Sequence, residues 1–184
     1  SVVEVGAVPL LVLCVQEPEP TLKRIAASAL AKLQAFPELA QFVVDAGAVP
    51  FLAQLINHQD AQLKRQVCSC LANISRHNAD LAEIVVDNDI FPKILYRLKD
   101  NDTLFENMGY LHQKIAKQNI DLAKLICNSG GAVAIVDFIS EAKGEALPGI
   151  ITLGYISAFD ETMAMGVIQA KGITPLKESL TNEN

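Results

Sequence analysis

The chain has 184 residues, of which 51% are hydrophobic and 5% aromatic, and its formal net charge is −6 with an isoelectric point near 5.0. An acidic balance of this kind is repelled by phosphate backbones and anionic membranes, so neither nucleic acid nor a membrane is expected as a partner. No apolar run reaches the roughly 18 to 20 residues of a bilayer span, and the apolar N-terminal stretch is in register with later repeats, which favours a folded segment over a signal peptide.

Near-copies of one octapeptide recur along the chain at intervals of 41 or 42 residues. VVDAGAVP at Val43–Pro50 differs at two positions from the VVEVGAVP that precedes it, and later copies diverge further. The copies lie at residues 2–9, 43–50, 85–92, 126–133 and, with one extra residue before the proline, 167–175. A regular period of this length indicates a repeat array, in which each unit buries its apolar face against its neighbours.

Each copy is interpreted as a break between two helices. A short apolar helix is predicted after the proline, as at Leu10–Cys14 and Phe51–Ile56, because proline suits the first helical turn. The preceding glycine ends the earlier helix by accepting a left-handed backbone. Acidic residues then stand before a longer helix and favour its positive N-terminal end, at Gln16–Pro20, Asn57–Asp60 and Lys99–Asp102.

The longer helix carries apolar residues at steps of 4, 3 and 4, which place one stripe on a helical face. The predicted stripes are Leu22, Ala26, Ala29 and Leu33; Leu63, Val67, Cys70 and Ile74; and Leu104, Met108, Leu111 and Ile115. In the fourth unit, Lys143–Glu145 precedes Leu147–Ile151, so the long helix is expected to start late or to bend. A third, short amphipathic helix leads into the next copy, at residues 37–47, 79–89 and 120–130.

These features predict an all-α fold: a right-handed armadillo-repeat α-solenoid with about four repeats of 41–42 residues and three helices in each. Tetratricopeptide and ankyrin units are too short and WD40 units need strands, and the break after a short helix favours armadillo over HEAT repeats. Because the sequence opens at a repeat boundary without polar capping and closes partway through a second helix, we expect a segment of a longer protein with self-association through its exposed repeat ends. The single array 1–184 is predicted to contain repeats at about 2–42, 43–84, 85–125 and 126–166 and a partial one at 167–184.

No constellation of catalytic or metal-binding residues is evident. The cysteines are Cys14, Cys68, Cys70 and Cys127, and the histidines are His58, His77 and His112. The cysteines lack C-x-x-C spacing and the density of a disulfide scaffold, which indicates a reducing compartment. No histidine has a cysteine or carboxylate partner at ligand spacing. We predict no enzyme activity, no cofactor and no metal; an enzyme would need a pocket with His77 or His112 against a carboxylate.

A partner-binding face is predicted on the long helices. Where armadillo proteins bind extended peptides, as importin-α and β-catenin do, these helices line a concave groove, and importin-α uses asparagines backed by tryptophans. Aligning the units on LANI, Leu71–Ile74, gives for the asparagine position Lys32, Asn73, Lys114 and Tyr155, and for the tryptophan position Ser28, Ser69, Tyr110 and Ile151. Without indole walls, this mildly cationic face suits an acidic or mixed segment; a plain solvated face is the competing interpretation.

The tripeptide LKR adds basic residues at the start of two successive long helices, at Leu22–Arg24 and Leu63–Arg65. In a chain of net negative charge this makes a local basic patch. Such a patch is more often a solubilising face than a binding site.

The strings LCVQEPE, LKRIAASAL and LPGIITLGY together resemble the armadillo proteins of the ciliary and flagellar central apparatus, the sperm-associated antigen 6 family. The resemblance covers essentially the whole chain and is weakest at DTLFENMGYLHQKIAKQ in the third unit. It implies a non-enzymatic cytoplasmic scaffold of the axoneme cytoskeleton that supports central-pair stability and motility. The implied partners are other central-apparatus proteins, with indirect microtubule association; a peptide-binding adaptor of the importin or catenin type is the alternative.

Overall fold

A computed structural model of the protein describes residues 2–97, 105–141 and 146–181. Those residues form thirteen α-helices and no strand, which confirms the all-α prediction and the three helices in each repeat. The helices are α1 (Val2–Gln16), α2 (Pro20–Leu33), α3 (Pro37–Asp45), α4 (Ala48–Leu55), α5 (Ala61–Ser75), α6 (Ala79–Val86), α7 (Ile90–Arg97), α8 (Phe105–Ala116), α9 (Ile120–Asn128), α10 (Gly131–Glu141), α11 (Leu147–Phe159), α12 (Glu161–Gln169) and α13 (Ile173–Thr181).

The chain divides into two compact units, Ser1–Lys93 and Ile94–Asn184. In the first, the long helices α2 and α5 pack along each other, α1 covers α2, and α4 and α6 cover α5. Its core consists of aliphatic side chains, and the largest completely enclosed ones are Leu30, Leu52, Ile56, Leu63, Leu71, Ile74, Leu81 and Ile90. In the second unit, α8 packs against α11, which also contacts α9, α10 and α12.

Four of the five octapeptide copies form the predicted helix breaks. At each break one residue has a left-handed backbone, and these residues recur at intervals of 41 or 42. They are Gly47 (φ 74°), Asp89 (φ 53°), Gly130 (φ 85°) and Lys171 (φ 63°). In the fifth copy the left-handed residue is Lys171, and Gly172 after it allows a close approach: a Cβ there would lie 2.8 Å from Cγ1 of Val167. The octapeptide is therefore an architectural element.

The first octapeptide copy is not a break, and the prediction there is wrong. Helix α1 runs without interruption through residues 2–16 and contains Pro9. Gly6 does not have the positive φ of Gly47, so the chain does not turn at this copy. Pro9 is exposed, and its missing N–H removes only one hydrogen bond from the helix. Identical GAVP strings thus adopt two different structures.

Alanine substitutions at the two identical strings are expected to have opposite effects on stability. Gly47→Ala should lower the free energy of unfolding by about 1 kcal/mol, because an L side chain is strained at φ 74°. Gly6→Ala should raise it by about 0.5–1 kcal/mol, because alanine is the better helix former and its Cβ would have no atom within 4 Å. Urea unfolding of both variants measures the difference, and equal signs would contradict the assigned backbone geometry.

Acidic residues cap the first two long helices as predicted. The Glu19 carboxylate accepts hydrogen bonds from the Thr21 and Leu22 N–H groups, and the Asp60 carboxylate accepts one from Leu63. The predicted segment Lys99–Asp102 lies outside the described residues. A second set of caps follows the repeat period and had no counterpart among the sequence predictions: Asn78, Asn119 and Asp160, at the starts of α6, α9 and α12.

The predicted apolar stripes are confirmed where the structure describes them, except on α2. All four stripe residues of α5 are completely buried, and so are Leu111 and Ile115 of α8; Leu104 and the side chain of Met108 lie outside the described residues. On α2 the prediction is wrong at Leu22, which is 37% exposed, and Ala29 and Leu33 are only half-buried. This helix packs mainly against α1, α3 and α5, and its buried residues are Ala26, Ala27, Leu30 and Ala31. Helix α11 begins at Leu147, which agrees with the late start predicted for the fourth long helix.

In the described ranges, no single helix has both the length and the apolar composition needed to cross a membrane. Helices α9 and α10 reach that length and composition only together, and their axes are bent by 75° at the break between them.

Candidate functional site

A surface groove of about 690 Å³ lies between the long helices α2 and α5 of the first unit. Its lining combines polar, cationic and apolar side chains. We call it the α2–α5 groove, and nine residues line it: Thr21, Arg24, Ile25, Ser28, Ala29, Lys32, Gln62, Arg65 and Gln66. The groove is open to solvent, and Ile25 is 62% exposed although it is a large aliphatic side chain.

Two of the eight predicted partner-binding residues, Ser28 and Lys32, line this groove. Their counterparts on α5, Ser69 and Asn73, are half-buried and do not line it. In the second unit Tyr110, Lys114, Ile151 and Tyr155 all retain solvent exposure. The structure thus brings one predicted pair into a groove, and a role in partner binding for all eight residues stays a prediction.

The LKR tripeptides supply the remaining cations of the groove. Arg24 and Arg65, the third residues of the two tripeptides, both line it. Lys23 and Lys64 do not, and the side chain of Lys64 is buried. The alignment on the asparagine and tryptophan positions missed both arginines because it considered only two positions of each helix. The signal that finds them is the repetition of LKR at one repeat period.

Arg24 is held in place at one end of the groove. Its guanidinium lies 3.6 Å from a carboxylate oxygen of Asp60 and donates hydrogen bonds to Oε1 of Gln62 at 3.1 Å and Oγ1 of Thr21 at 3.3 Å. The Leu63 N–H that binds Asp60, assisted by the Arg24 guanidinium, lowers the pKa of that carboxyl below its ordinary value. Asp60 therefore stays ionised at neutral pH and fixes the orientation of Arg24.

Asn73 has a structural hydrogen bond. Its side-chain Nδ2 donates to the carbonyl of Ala31 at 2.9 Å, across the boundary between α5 and α2. Two neighbours act in the same way, since Arg76 donates to the carbonyl of Ala35 at 3.0 Å and His77 Nε2 lies 2.8 Å from the carbonyl of Gln34. These bonds satisfy one carbonyl in the last turn of α2 and two just beyond its end.

In the second unit, two predicted residues contact each other on α8. The ammonium of Lys114 lies 4.3 Å from the centroid of the Tyr110 ring, within the range of a cation–π interaction. A groove of about 540 Å³ also occurs in this unit, between α9, α10 and α12, and none of the eight predicted residues lines it. Tyr110 therefore occupies the tryptophan position and lines neither of these two grooves.

The cysteines and histidines have structural environments. Burial raises the pKa of the Cys68 thiol to about 12, and burial likewise raises that of Cys70 to about 12 despite the opposing effect of the nearby Gln34 amide. His58 Nδ1 accepts a hydrogen bond from the Asp60 N–H at 3.0 Å. All four cysteines are free, and the described part of the chain contains no cluster of three or more residues suited to hold a metal ion.

Comparisons with known proteins identify the fold. The family model for the Armadillo/beta-catenin-like repeat matches residues 36–76, which comprise α3, α4 and α5. No curated protein matches the chain significantly in sequence.

Several solved structures superpose on nearly the whole chain. One is an engineered protein with a TM-score of 0.92 and 22% identity, covering 96% of this chain and 74% of its own. A designed armadillo repeat protein in complex with the peptide (KR)4 has a TM-score of 0.92 and 18% identity over 97% and 76% of the two chains. A third structure belongs to computationally designed armadillo repeat proteins for modular peptide recognition, with a TM-score of 0.90 and 19% identity over 97% and 76%. The chain thus has the armadillo-repeat α-solenoid fold, and its residues 36–76 match the repeat of that family.

Proposed function

We propose that the protein is a non-enzymatic protein–protein interaction scaffold whose α2–α5 groove binds an extended segment of a partner. The observation that carries this proposal is the groove itself, which is open, about 690 Å³ in volume, and lined by polar, cationic and apolar side chains together. Binding sites of this type combine apolar contact area with a few polar groups that fix orientation. The designed relatives named for peptide recognition and for a peptide complex have the same fold.

We propose further that this scaffold serves the central apparatus of cilia and flagella. The support is the joint occurrence of LCVQEPE, LKRIAASAL and LPGIITLGY, which is more specific than the GAVP string shared by armadillo proteins. The partners would be other central-apparatus proteins. Microtubule association would be indirect, because the chain carries a net charge of −6 and tubulin surfaces are acidic as well.

A bulky neutral side chain in the groove is expected to block the partner. Ser28→Trp adds an indole to the wall at a half-exposed position and leaves the charge unchanged, so partner affinity should fall by about tenfold or more. Gln54→Trp, at an exposed position on α4 outside the groove, is the matched control. Affinity capture from flagellar extract, with thermal unfolding as a check on folding, measures both; equal recovery by wild type and both variants would exclude the groove as the docking face.

Localisation of the tagged full-length protein tests the axonemal part of the proposal. The expected result is a signal along the axoneme and impaired beating after removal of the protein. A diffuse or nuclear signal together with normal beating would contradict an axonemal function and leave the binding groove as a separate question.

A peptide-binding adaptor of the importin or catenin type is the second candidate. One designed relative is in complex with the basic peptide (KR)4, which favours testing a basic ligand on this fold. Tight binding of a basic localisation peptide, abolished by Asn73→Ala, would support the adaptor. The hydrogen bond from Asn73 to Ala31 already occupies one amide hydrogen, so the variant also needs a stability measurement.

A further inference from the structure

We propose that the α2–α5 groove selects an acidic segment, with carboxylate side chains four residues apart on either side of an apolar one. This inference rests on the proposed function, because it specifies the chemistry of the segment that the groove binds. It assigns Arg24 and Lys32 as the recognition residues, with Ile25 and Ala29 as the apolar contact.

The charge distribution of the two helices carries the first step. Helices α2 and α5 contain five basic residues and no acidic one: Lys23, Arg24, Lys32, Lys64 and Arg65. The chain as a whole has 21 acidic and 15 basic residues, so this surface has the opposite charge to the molecule that contains it. Of the acidic residues that flank these helices in sequence, Glu19 caps α2, and Asp60 caps α5 and also lies 3.6 Å from the Arg24 guanidinium. A cationic groove attracts carboxylates and repels basic segments.

The two ends of the groove present cations in different states. Arg24 is oriented by Asp60, Gln62 and Thr21, and 34% of its side chain remains exposed to solvent. A guanidinium has five donor hydrogens, so these contacts leave the group able to bind a second carboxylate. Lys32 is exposed, and no hydrogen bond or ion pair of its ammonium is found within the described ranges. The cation at one end, Arg24, is therefore pre-oriented, whereas the cation at the other end, Lys32, has no such contacts.

The spacing of these cations fixes the spacing of the ligand. Arg24 and Lys32 are eight residues apart on α2, which corresponds to about 12 Å at 1.5 Å per residue. Four residues of an extended chain span about 13 Å at 3.3 Å each, and the side chains at both ends of that span point to the same side. An extended partner segment that lies alongside α2 can thus place one carboxylate on Arg24 and another on Lys32.

The apolar side chains of the groove select the residue between the carboxylates. Ile25 and Ala29 lie one helical turn apart between the two cations, and both line the groove. In an extended segment, the side chain midway between the two carboxylates faces the same side, because side chains alternate with a period of two. An apolar residue at that position would cover the exposed face of Ile25. The favoured pattern is therefore acidic, any, apolar, any, acidic.

Fluorescence anisotropy with labelled peptides tests the proposal. The probes are an oligoglutamate peptide with a central leucine and the peptide (KR)4, at equal length and at low and high salt. We expect the acidic probe to bind at least about tenfold tighter than the basic one at low salt, with affinity falling as salt rises. Lys32→Glu should weaken the acidic probe by about fivefold. Lys177→Glu, an exposed position on α13 outside the groove, makes the same change in net charge and should have no effect.

The outcomes separate this inference from the proposed function. Equal weakening by Lys32→Glu and Lys177→Glu would mean that the acidic probe responds to net charge alone, which overturns the assigned site. Tighter binding of (KR)4, strengthened by Lys32→Glu, would overturn the acidic preference and retain the groove as the docking face. If Ser28→Trp abolishes partner binding but Lys32→Glu leaves the affinity for the acidic probe unchanged, the groove is still the docking face and Lys32 is not a recognition residue.

Discussion

Leu71→Ala is expected to lower the free energy of unfolding by about 3 kcal/mol, because truncating a fully enclosed leucine loses its burial and leaves a cavity. Leu71 is completely buried on α5, the helix that packs against α2, α3, α4 and α6. Because protein interiors are closely packed, the surroundings of this side chain should collapse only partly around the cavity. Chemical unfolding followed by circular dichroism measures the change.

The Leu71→Ala substitution should also destabilise some helices more than others. In a repeat array, stability is close to a sum of unit and nearest-neighbour terms, so the effect should be largest in the helices that contact α5. Hydrogen exchange should show weaker protection in α2 and α4 and little change in α12. Leu10→Ala is the matched control, because Leu10 is 64% exposed and its truncation should change stability by less than about 0.5 kcal/mol. A uniform loss of protection in all helices would contradict the nearest-neighbour account.

The thiols of Cys68 and Cys70 should react at pH 8 about a thousandfold more slowly in the native protein than in the unfolded chain. Burial raises the pKa of each thiol from about 9 to about 12, and the thiolate is the form that reacts. Three pKa units reduce the thiolate fraction by about a thousandfold. Cys127 is half-buried, and burial raises the pKa of its thiol to a smaller extent. In the native protein it should therefore react faster than Cys68 and Cys70 but more slowly than a thiol of the unfolded chain. Timed alkylation and peptide mass spectrometry resolve the individual cysteines.

The same shifts predict the dependence of stability on alkaline pH. Well below pH 9 both thiols are protonated in the folded and unfolded states, so their contribution to stability is constant. Between about pH 9 and 12 the unfolded state loses these protons and the folded state keeps them, so the free energy of unfolding falls as pH rises. Each thiol contributes a slope of up to about 1.4 kcal/mol per pH unit. The double variant Cys68→Ala/Cys70→Ala should show a shallower decline, and an unchanged slope would contradict the burial of these thiols.

The repeat period and the helix breaks were predictable because their signals are local and repeated. Gly47 and Gly130 each stand where a left-handed residue ends one helix, and a period of 41 or 42 residues places the less obvious Asp89 and Lys171 at the same point. Once the positions are in register, the conformation of a divergent copy follows from that of a clear one. For this reason the predicted helix breaks are correct even where another residue stands in place of the glycine.

The failures at Gly6 and Leu22 have a common physical origin. Both residues belong to the first repeat, and each was assigned the same role as its counterpart in the second repeat, Gly47 or Leu63. The sequence of a repeat specifies its own helices, whereas burial and chain direction also depend on the helices packed beside it. Leu63 is completely enclosed between helices, and Leu22 on α2 is partly exposed, although the two residues occupy equivalent positions.

The candidate site was predictable only in part. Ser28 and Lys32 followed from the helical register, but the groove also needs Arg24 and Arg65, which lie about one turn before Ser28 and Ser69 on their helices. LKR indicated a basic patch there, and sequence alone could not distinguish a groove from a solvated face. The distinction depends on side-chain packing: Lys64 is buried beside the exposed cations, and Arg24 is oriented by Asp60.

Photo-crosslinking from the groove tests the central claim most directly. A photoreactive amino acid in place of Ser28 lies in the wall of the α2–α5 groove, and one in place of Gln41 lies at an exposed position on α3 outside it. Illumination in flagellar extract should give a discrete covalent partner adduct from position 28 and none from position 41. An adduct from position 41 with none from position 28 would contradict the groove as the binding face.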